Sequence, residues 1–326
     1  MVRVSAIVPN WNGAVLLRSV LVCLRNQTQP IDEVIVVDNG STDESVSVAE
    51  GLGARVIRLN RNEGFAKAVN EGVRAAAGEW LVILNNDVEI GEDWLDKLLS
   101  ESQGCNAWFA SGKLLQFDRP GVLDGAWDAL CRGACAWRCG HARNDGPPWD
   151  TQRSIRFASF TALLARTELF RLVGSLDETF ESYLEDVDFG IRCAIRGYSG
   201  VYVPNAVARH RGSATLGRWH RGTVRRISRN QLLLVAKHFP KGWIVRFGWP
   251  VLVSQVLWGL LALRHRTGLA YLAGKIDALR IFRGVRGRSQ HDSAISAILH
   301  ESEAEIRELQ QQTGYDLYWR VYFALT

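Results

Sequence analysis

Three carboxylates fall within four positions at Glu185, Asp186 and Asp188, inside Tyr183-Leu184-Glu185-Asp186-Val187-Asp188-Phe189. Acids this crowded raise one another's pKa, which suits one of them to take a proton from a hydroxyl near neutral pH. The same pattern suits the first turn of a helix, where negative charge meets the macrodipole, and the residues alone do not choose. A second candidate is Asn85-Asn86-Asp87, directly after the apolar run Trp80-Leu81-Val82-Ile83-Leu84. A hard cation such as Mg²⁺ or Mn²⁺ takes oxygen ligands, commonly one or two carboxylates plus substrate phosphates, so Asp87 could anchor a metal bridging a diphosphate. Its plainer reading is a polar turn capped by an aspartate. His210, in Ala208-Arg209-His210-Arg211-Gly212, offers an imidazole nitrogen to a metal, against the commoner fate of such a histidine as surface or core structure.

The elements that must position these groups alternate between two periods. Val4-Ser5-Ala6-Ile7-Val8 is a β-rich run closed by Pro9, Asn10, Asn12 and Gly13, and Val15, Leu16, Val20, Leu21 and Leu24 then recur at helical spacing. Val34-Ile35-Val36-Val37 is apolar throughout, as a strand covered on both faces would be. It runs into Asp38-Asn39-Gly40-Ser41-Thr42-Asp43, whose Ser, Thr and Asp can cap a following helix. Val56-Ile57-Arg58-Leu59 predicts a third strand, Phe65 to about Ala77 a helix, and Trp80-Leu81-Val82-Ile83-Leu84 a fourth strand. Strand and helix alternating at this spacing predict a parallel sheet with right-handed crossovers. Ligands of such sheets gather beyond the carboxyl ends of the strands. The polar clusters beginning at Pro9, Asp38, Asn60 and Asn85 all lie at such ends and are expected to converge on one crevice.

Residues 104–156, rich in Gly, Trp, Cys, Arg and Pro, read as loops with short elements; regular structure is expected again at 157–173, and helix from about Leu216 onward. The chain has 326 residues and is 47% hydrophobic, enough for one large domain or a domain plus an appendage, and its 22% of charged residues is no mark of disorder. The net charge of +5 admits an anionic ligand, an anionic membrane surface or nucleic acid. Six cysteines in this length do not make a disulfide scaffold, and the first nine residues hold too short an apolar run for a signal peptide, so a reducing, cytoplasmic setting is expected.

Ile7-Val8-Pro9-Asn10-Trp11-Asn12, Val37-Asp38-Asn39-Gly40-Ser41-Thr42-Asp43, Asn60-Arg61-Asn62-Glu63-Gly64-Phe65-Ala66 and Leu84-Asn85-Asn86-Asp87 resemble, in order, the signature of family-2 glycosyltransferases with the GT-A fold. Gly174-Ser175-Leu176-Asp177-Glu178, Tyr183-Leu184-Glu185-Asp186-Val187-Asp188, Pro204-Asn205-Ala206 and His210 extend the resemblance. The closest branch is the rhamnosyltransferase-like one that builds bacterial surface polysaccharides, matched over about residues 4–240. The resemblance implies an α/β fold, a Rossmann-like, mostly parallel sheet flanked by helices. A catalytic domain is expected at 1–215, followed by a helical C-terminal region at 216–326 that contacts a membrane or a second copy. Pro9, Asn12 and Asp38 would line the nucleotide pocket, with Asp38 reaching the base, and Asn62, Gly64 and Phe65 would sit beside the ribose and diphosphate. Asn86 and Asp87 match the family's Asp-rich metal motif; many relatives have acids where this chain has Asn85 and Asn86, so Asp87 is its charged member. Asp87 would hold Mg²⁺ or Mn²⁺ with help from His210, and Asp186 would be the general base, with Glu185 and Asp188 shaping the acceptor site. The implied reaction is a single displacement with inversion. It moves a sugar from a nucleotide-diphosphate donor, dTDP-rhamnose or a UDP-hexose, to a hydroxyl of a glycan or lipid-linked acceptor.

Rival readings meet particular residues. A sugar-phosphate nucleotidyltransferase would share the sheet but carry a Gly-rich phosphate loop with a basic residue where this chain has Asn10-Trp11-Asn12-Gly13. A non-catalytic nucleotide-sugar sensor or a basic membrane scaffold would not need the Glu185-Asp186 pair. Cys131, Cys135, Cys139 and His141 do not follow a usual zinc spacing, and unpaired thiols are expected. Arg209, Arg211, Arg218, Arg221, Arg225, Arg226 and Arg229 lack the interleaved aromatics of a nucleic-acid site, so no nucleic-acid partner is expected. Residues 244–263 are apolar over a bilayer's thickness but include Arg246, Pro250 and Gln255. With Trp243, Trp249, Trp258, Lys241, Arg264 and Arg266 around them, they suit a helix lying at a membrane interface, or one buried in an inter-domain or dimer contact.

Overall fold

A computed structural model of the protein describes residues 2–212, 219–287 and 292–326. The expected boundary between 215 and 216, and Arg218, lie outside the described residues. The first part of the chain alternates β1 (Val4–Asn10), α1 (Ala14–Arg25), β2 (Glu33–Asp38), α2 (Ser45–Gly51), β3 (Arg55–Arg58), α3 (Phe65–Ala75) and β4 (Trp80–Leu84). Then come β5 (Val88–Ile90), α4 (Trp94–Gly104), β6 (Phe109–Gln116), β7 (Leu123–Gly125), β8 (Asp128–Leu130), β9 (Ala136–Arg138) and β10 (Arg153–Ile155). β11 (Ala162–Arg166), α5 (Thr167–Val173), α6 (Glu185–Ile195) and β12 (Gly200–His210) precede five helices: α7 (Arg221–His238), α8 (Trp243–Arg264), α9 (Gly268–Val285), α10 (Asp292–Thr313) and α11 (Leu317–Leu325).

The main sheet is mixed, ordered β10-β12-β6-β11-β4-β1-β2-β3, with β5 also beside β12 and β7 beside β6. β3, β2, β1 and β4 are parallel, with Ile7 opposite both Ile35 and Ile83. β11 then enters antiparallel between β4 and β6. Helices cover both faces, which is why β1 and β4 are apolar on both. On one side Val4, Ala6 and Val8 join Leu17, Val20, Leu21 and Leu24 of α1, and Trp94, Leu95 and Leu98 of α4, in a single buried cluster. On the other, Ile7 meets α3 at Gly72, so closely that a Cβ there would overlap Ile7 Cγ2.

β6 corrects the expectation of loops at 104–156: it is an eight-residue strand at the sheet's centre. Its Ser111-Gly112-Lys113 hid it, because Lys113 is a buried ammonium whose charge is met by Asp145 and Asp150, each at 2.5 Å. Such a lysine is tolerated only when paired and hydrogen-bonded.

The chain divides into two compact units, Met1–Trp127 with Gly140–Thr215, and Asp128–Cys139 with Leu216–Thr326. The hairpin of β8 and β9, expected with the catalytic domain, goes instead with the C-terminal helices. Polar contacts within that second unit explain why. The Leu130 N–H donates to Ser302 Oγ at 2.8 Å, and Arg132 meets the buried Glu303 of α10 at 2.6 Å. Tyr322 Oη completes the Glu303 shell at 2.7 Å.

Gly72→Ala sets two effects against each other. Helix propensity favours alanine by about 1 kcal/mol, whereas overpacking against Ile7 costs about 1–3 kcal/mol. We expect net destabilisation in urea unfolding, with a smaller cost of Gly72→Ala in an Ile7→Ala background, where Cγ2 is absent; a more stable Gly72→Ala protein would contradict the contact.

Candidate active site

Parallel register brings the strand-end loops level, and side-chain amides then tie them together. Asn10 ends β1 opposite Asp38, which ends β2. Asn86, just past β4, donates from Nδ2 to Asn10 Oδ1 at 2.7 Å, and a Cβ on Gly13 would collide with the same Asn86 amide. Asn12 Oδ1 accepts the Thr42 N–H at 2.8 Å, while the Asn12 N–H donates to Ser41 Oγ at 2.9 Å. Asn39 Nδ2 donates to Asn62 Oδ1 at 3.2 Å and to Gly64 O at 3.0 Å, and Asn39 Oδ1 accepts the Glu63 N–H at 2.8 Å.

From there the contacts cross to the second half of this unit. The Phe65 N–H donates to Ser182 Oγ at 3.1 Å and the Ala66 N–H to Glu181 O at 2.9 Å. Gly64 sits at φ +92, where a Cβ would lie 2.7 Å from Glu181 O, so this crossing needs glycine. Residues 181–184 lead into α6, where Phe189 meets Phe160 edge-on at 5.5 Å. Next to Phe160, Thr161 O accepts the Asn85 N–H at 3.0 Å, which returns to Asn86 and closes the circuit.

Three carboxylate oxygens on this circuit are buried with no hydrogen-bond partner: Asp38 Oδ1, Asp87 Oδ1 and Glu185 Oε2. Leaving such an acceptor unpaired costs about 1–3 kcal/mol, which marks these oxygens as candidates for ligand contacts. Asp38 keeps its other oxygen on the Ser41 N–H at 3.0 Å. Burial first, and then the charges of Asp186 and Asp188, hold the Glu185 carboxyl well above the usual range.

Asp87 belongs to a further array that the sheet assembles. β12 pairs with β5, setting His210 opposite Val88, and with β6, whose other neighbour β7 carries Asp124. His210 Nδ1 lies 2.8 Å from Asp124 Oδ2 and its Nε2 3.2 Å from Asp87 Oδ1. Burial alone would lower the His210 pKa, but the two carboxylates outweigh it and raise it to about 9.

The acids of α6 divide by environment. Asp188 is fully buried and held by Arg192, with Nε and Nη2 each 3.0 Å from Oδ2. The same guanidinium donates to the carbonyls of Val173, Gly174 and Ser175. Asp188 and Arg192 together therefore clamp that turn to α6. Asp186 is half-buried and borders a small cavity with Ala158, Phe160 and Phe189. The backbone before it is strained: Glu181, Tyr183 and Leu184 take φ of 59, 71 and 67.

Pro9 lies within β1 opposite Val37, and Asn62 caps its own loop by accepting the Gly64 N–H at 3.0 Å. The oxygens of Asn12 and Asn62 are thus spent on loop ties. Phe65, half-buried, opens α3. Asn10, Asn39, Ser182 and Asp124 join the site without having been singled out. Asp124 carried no sequence signal, since nothing in spacing links it to a histidine 86 positions on. Among the described residues no three His, Cys, Asp or Glu side chains form a metal cluster, Cys131, Cys135, Cys139 and His141 included. Burial pushes the Cys131 and Cys135 thiols up. Of the basic run, Arg211 meets Glu89 at 2.9 Å over the Phe117 ring, and Arg225 meets Asp277 at 2.6 Å.

Residues 5–115 match the model of glycosyl transferase family 2. N-acetylglucosaminyl-diphospho-decaprenol L-rhamnosyltransferase of Mycobacterium tuberculosis is 29% identical over 76% of this chain and 87% of its own length. The O-antigen biosynthesis protein RfbC of Myxococcus xanthus is 31% identical over 65% of this chain, but the match spans only 18% of that protein. The structure resembles GalNAc-T7 with UDP, GalNAc and Mn²⁺ at a TM-score of 0.64 and 15% identity, over 97% of this chain and 58% of that one. It also resembles the Pyrobaculum calidifontis mannosyltransferase PcManGT with GDP-Man and Mn²⁺, at 0.54 and 17%, over 99% of this chain and 86% of the other. Residues 5–115 thus carry a family-2 glycosyltransferase domain, in a fold like that of these solved structures, and the likenesses support a glycosyltransferase that uses a nucleotide-sugar donor.

Proposed function

We propose that the chain moves rhamnose from dTDP-rhamnose onto a hydroxyl of a lipid-linked glycan during surface-polysaccharide synthesis, with inversion at the anomeric carbon. The single observation behind the site assignment is the set of buried, unpartnered carboxylate oxygens of Asp38, Asp87 and Glu185 on one circuit of loops. The Mycobacterium tuberculosis relative, named for a diphospho-decaprenol acceptor, supports the choice of sugar and of a lipid-linked acceptor.

Asp38 Oδ1 would accept the imide N–H that thymine and uracil both present. Pro9, Asn12, Asn62, Gly64, Phe65 and Asn86 would complete the donor pocket, Asn12 and Asn62 by fixing its loops. Asp87 and His210 fit a divalent cation, Mg²⁺ or Mn²⁺. The His210 ring, protonated in the free site with Nε2 3.2 Å from Asp87 Oδ1, would give up its Nε2 proton as the cation binds and keep its Nδ1–H on Asp124. When bound, the cation supplies charge that stabilises the departing diphosphate.

We assign the base role to Asp186, as the family resemblance implies. Glu185 is buried and favours its neutral form, and Asp188 is bound to Arg192. The Asp186 carboxylate would take the proton of the acceptor hydroxyl as that oxygen attacks the anomeric carbon. The bond from that carbon to the donor phosphate oxygen breaks, and its electron pair leaves with the nucleoside diphosphate.

Two variants test the roles separately. Asp186→Asn is expected to bind dTDP with unchanged affinity by calorimetry while turnover falls by about 10²–10⁴-fold; wild-type turnover would remove Asp186 from the base role. Asp124→Asn is expected to weaken Mn²⁺ binding by about 10–100-fold, read from the electron paramagnetic resonance signal of free Mn²⁺. Unchanged Mn²⁺ affinity in a variant that unfolds like the wild type would leave His210 without a metal role.

A further inference from the structure

The second compact unit carries an apolar surface on two consecutive helices. On α8, Val245, Trp249, Leu252, Val256, Leu260 and Leu263 follow one another at steps of three or four residues, and each is at least half exposed. Leu269, Leu272, Ile276 and Leu279 repeat the pattern on α9, again each at least half exposed. Steps of this kind draw one stripe along a helix. Ten large apolar side chains on two stripes exceed the scattered apolar exposure of an ordinary surface.

The opposite faces of the two helices are committed to packing. Gln255 donates to Gly133 O at 3.1 Å, Ser254 pairs with Tyr318 at 3.0 Å, and Tyr271 Oη donates to Gln255 O at 3.0 Å. Gly274 of α9 lies against Arg225 and Ser228 of α7. Such one-sidedness suits helices lying flat on an apolar phase, although α8 is also the one described helix long and apolar enough to cross a membrane. Of the tryptophans expected to mark the interface, Trp249 is exposed, whereas Trp258 donates to Ser228 and stacks on Trp219.

Charge selects the occupant. Lys241, Arg246, Arg264, Arg266, Arg280 and Arg283 border the stripes and are exposed, and Asp277 is the sole acid between residues 241 and 287. That aspartate is taken by Arg225 and Arg280. A second copy docking here would bring its own arginines against these. An anionic headgroup layer would meet them with opposite charge.

We propose that α8 and α9 form an in-plane docking face for the surface of an anionic lipid bilayer. The inference stands on the second unit's surface alone and does not depend on the assignment of the carboxylates.

Co-sedimentation of the full chain with vesicles tests it. Binding is expected to phosphatidylcholine vesicles containing phosphatidylglycerol, to weaken with added salt, and to be slight for phosphatidylcholine alone. Leu252→Ser/Val256→Ser/Leu260→Ser should cut vesicle affinity at least about tenfold, and Arg264→Gln/Arg266→Gln should weaken only the phosphatidylglycerol-dependent part. Both proteins should keep wild-type unfolding and dTDP affinity. No vesicle binding by the wild type overturns the proposal. So does a dimer in sedimentation velocity that the serine variant dissolves while vesicle binding stays unaltered.

Discussion

An asparagine side chain can donate and accept at once, and this chain uses that property to hold its strand ends together. Asn10, Asn12, Asn39, Asn62 and Asn86 all bond across from one loop to another or brace their own. Because neutral amides carry these ties, carboxylates are not consumed by them. Asp38, Asp87 and Glu185 each keep an oxygen that is buried and unpaired. In a low-dielectric site an unsatisfied acceptor is expensive and responsive, which suits it to bind a cation or a base edge.

The same division of labour separates the charged groups that build from those that act. Lys113 with Asp145 and Asp150, Arg192 with Asp188, and Arg132 with Glu303 are buried charges closed upon one another. Breaking such a pair costs several kcal/mol, because the remaining charge is stranded. His210 stands between the two kinds. One nitrogen is secured by Asp124 and the other lies 3.2 Å from Asp87 Oδ1, so the fold fixes the ring between two carboxylates. The left-handed residues before α6 cost about 1–3 kcal/mol each. Gly64 and Ser182 hold that segment in place, which sets Glu185 and Asp186 at the rim of the circuit.

Much of the parallel half was legible because local rules and tertiary structure agree there. Unbroken apolar runs mark β2 and β4, a β-rich run marks β1, and turn residues mark the loop tips. Legibility ended where a residue's meaning comes from a distant partner. Lys113 disguised a central strand until its two aspartates were seen to neutralise it. Asp188 looks in the sequence like one more acid of the trio, because nothing there shows that Arg192, four positions on, pairs with it. Asp124 became visible only when β6 brought β7 and β12 to either side of it. The hairpin of β8 and β9 could not be placed from sequence at all, since its partners on α10 lie about 170 residues away.

A structure of the chain crystallised with dTDP and Mn²⁺ would test most directly whether the bare carboxylates serve one ligand. The account predicts the thymine ring hydrogen-bonded to Asp38 and Mn²⁺ coordinated by Asp87 with the diphosphate beside it. Nucleotide bound away from Asp38, or Mn²⁺ held by other side chains, would contradict it.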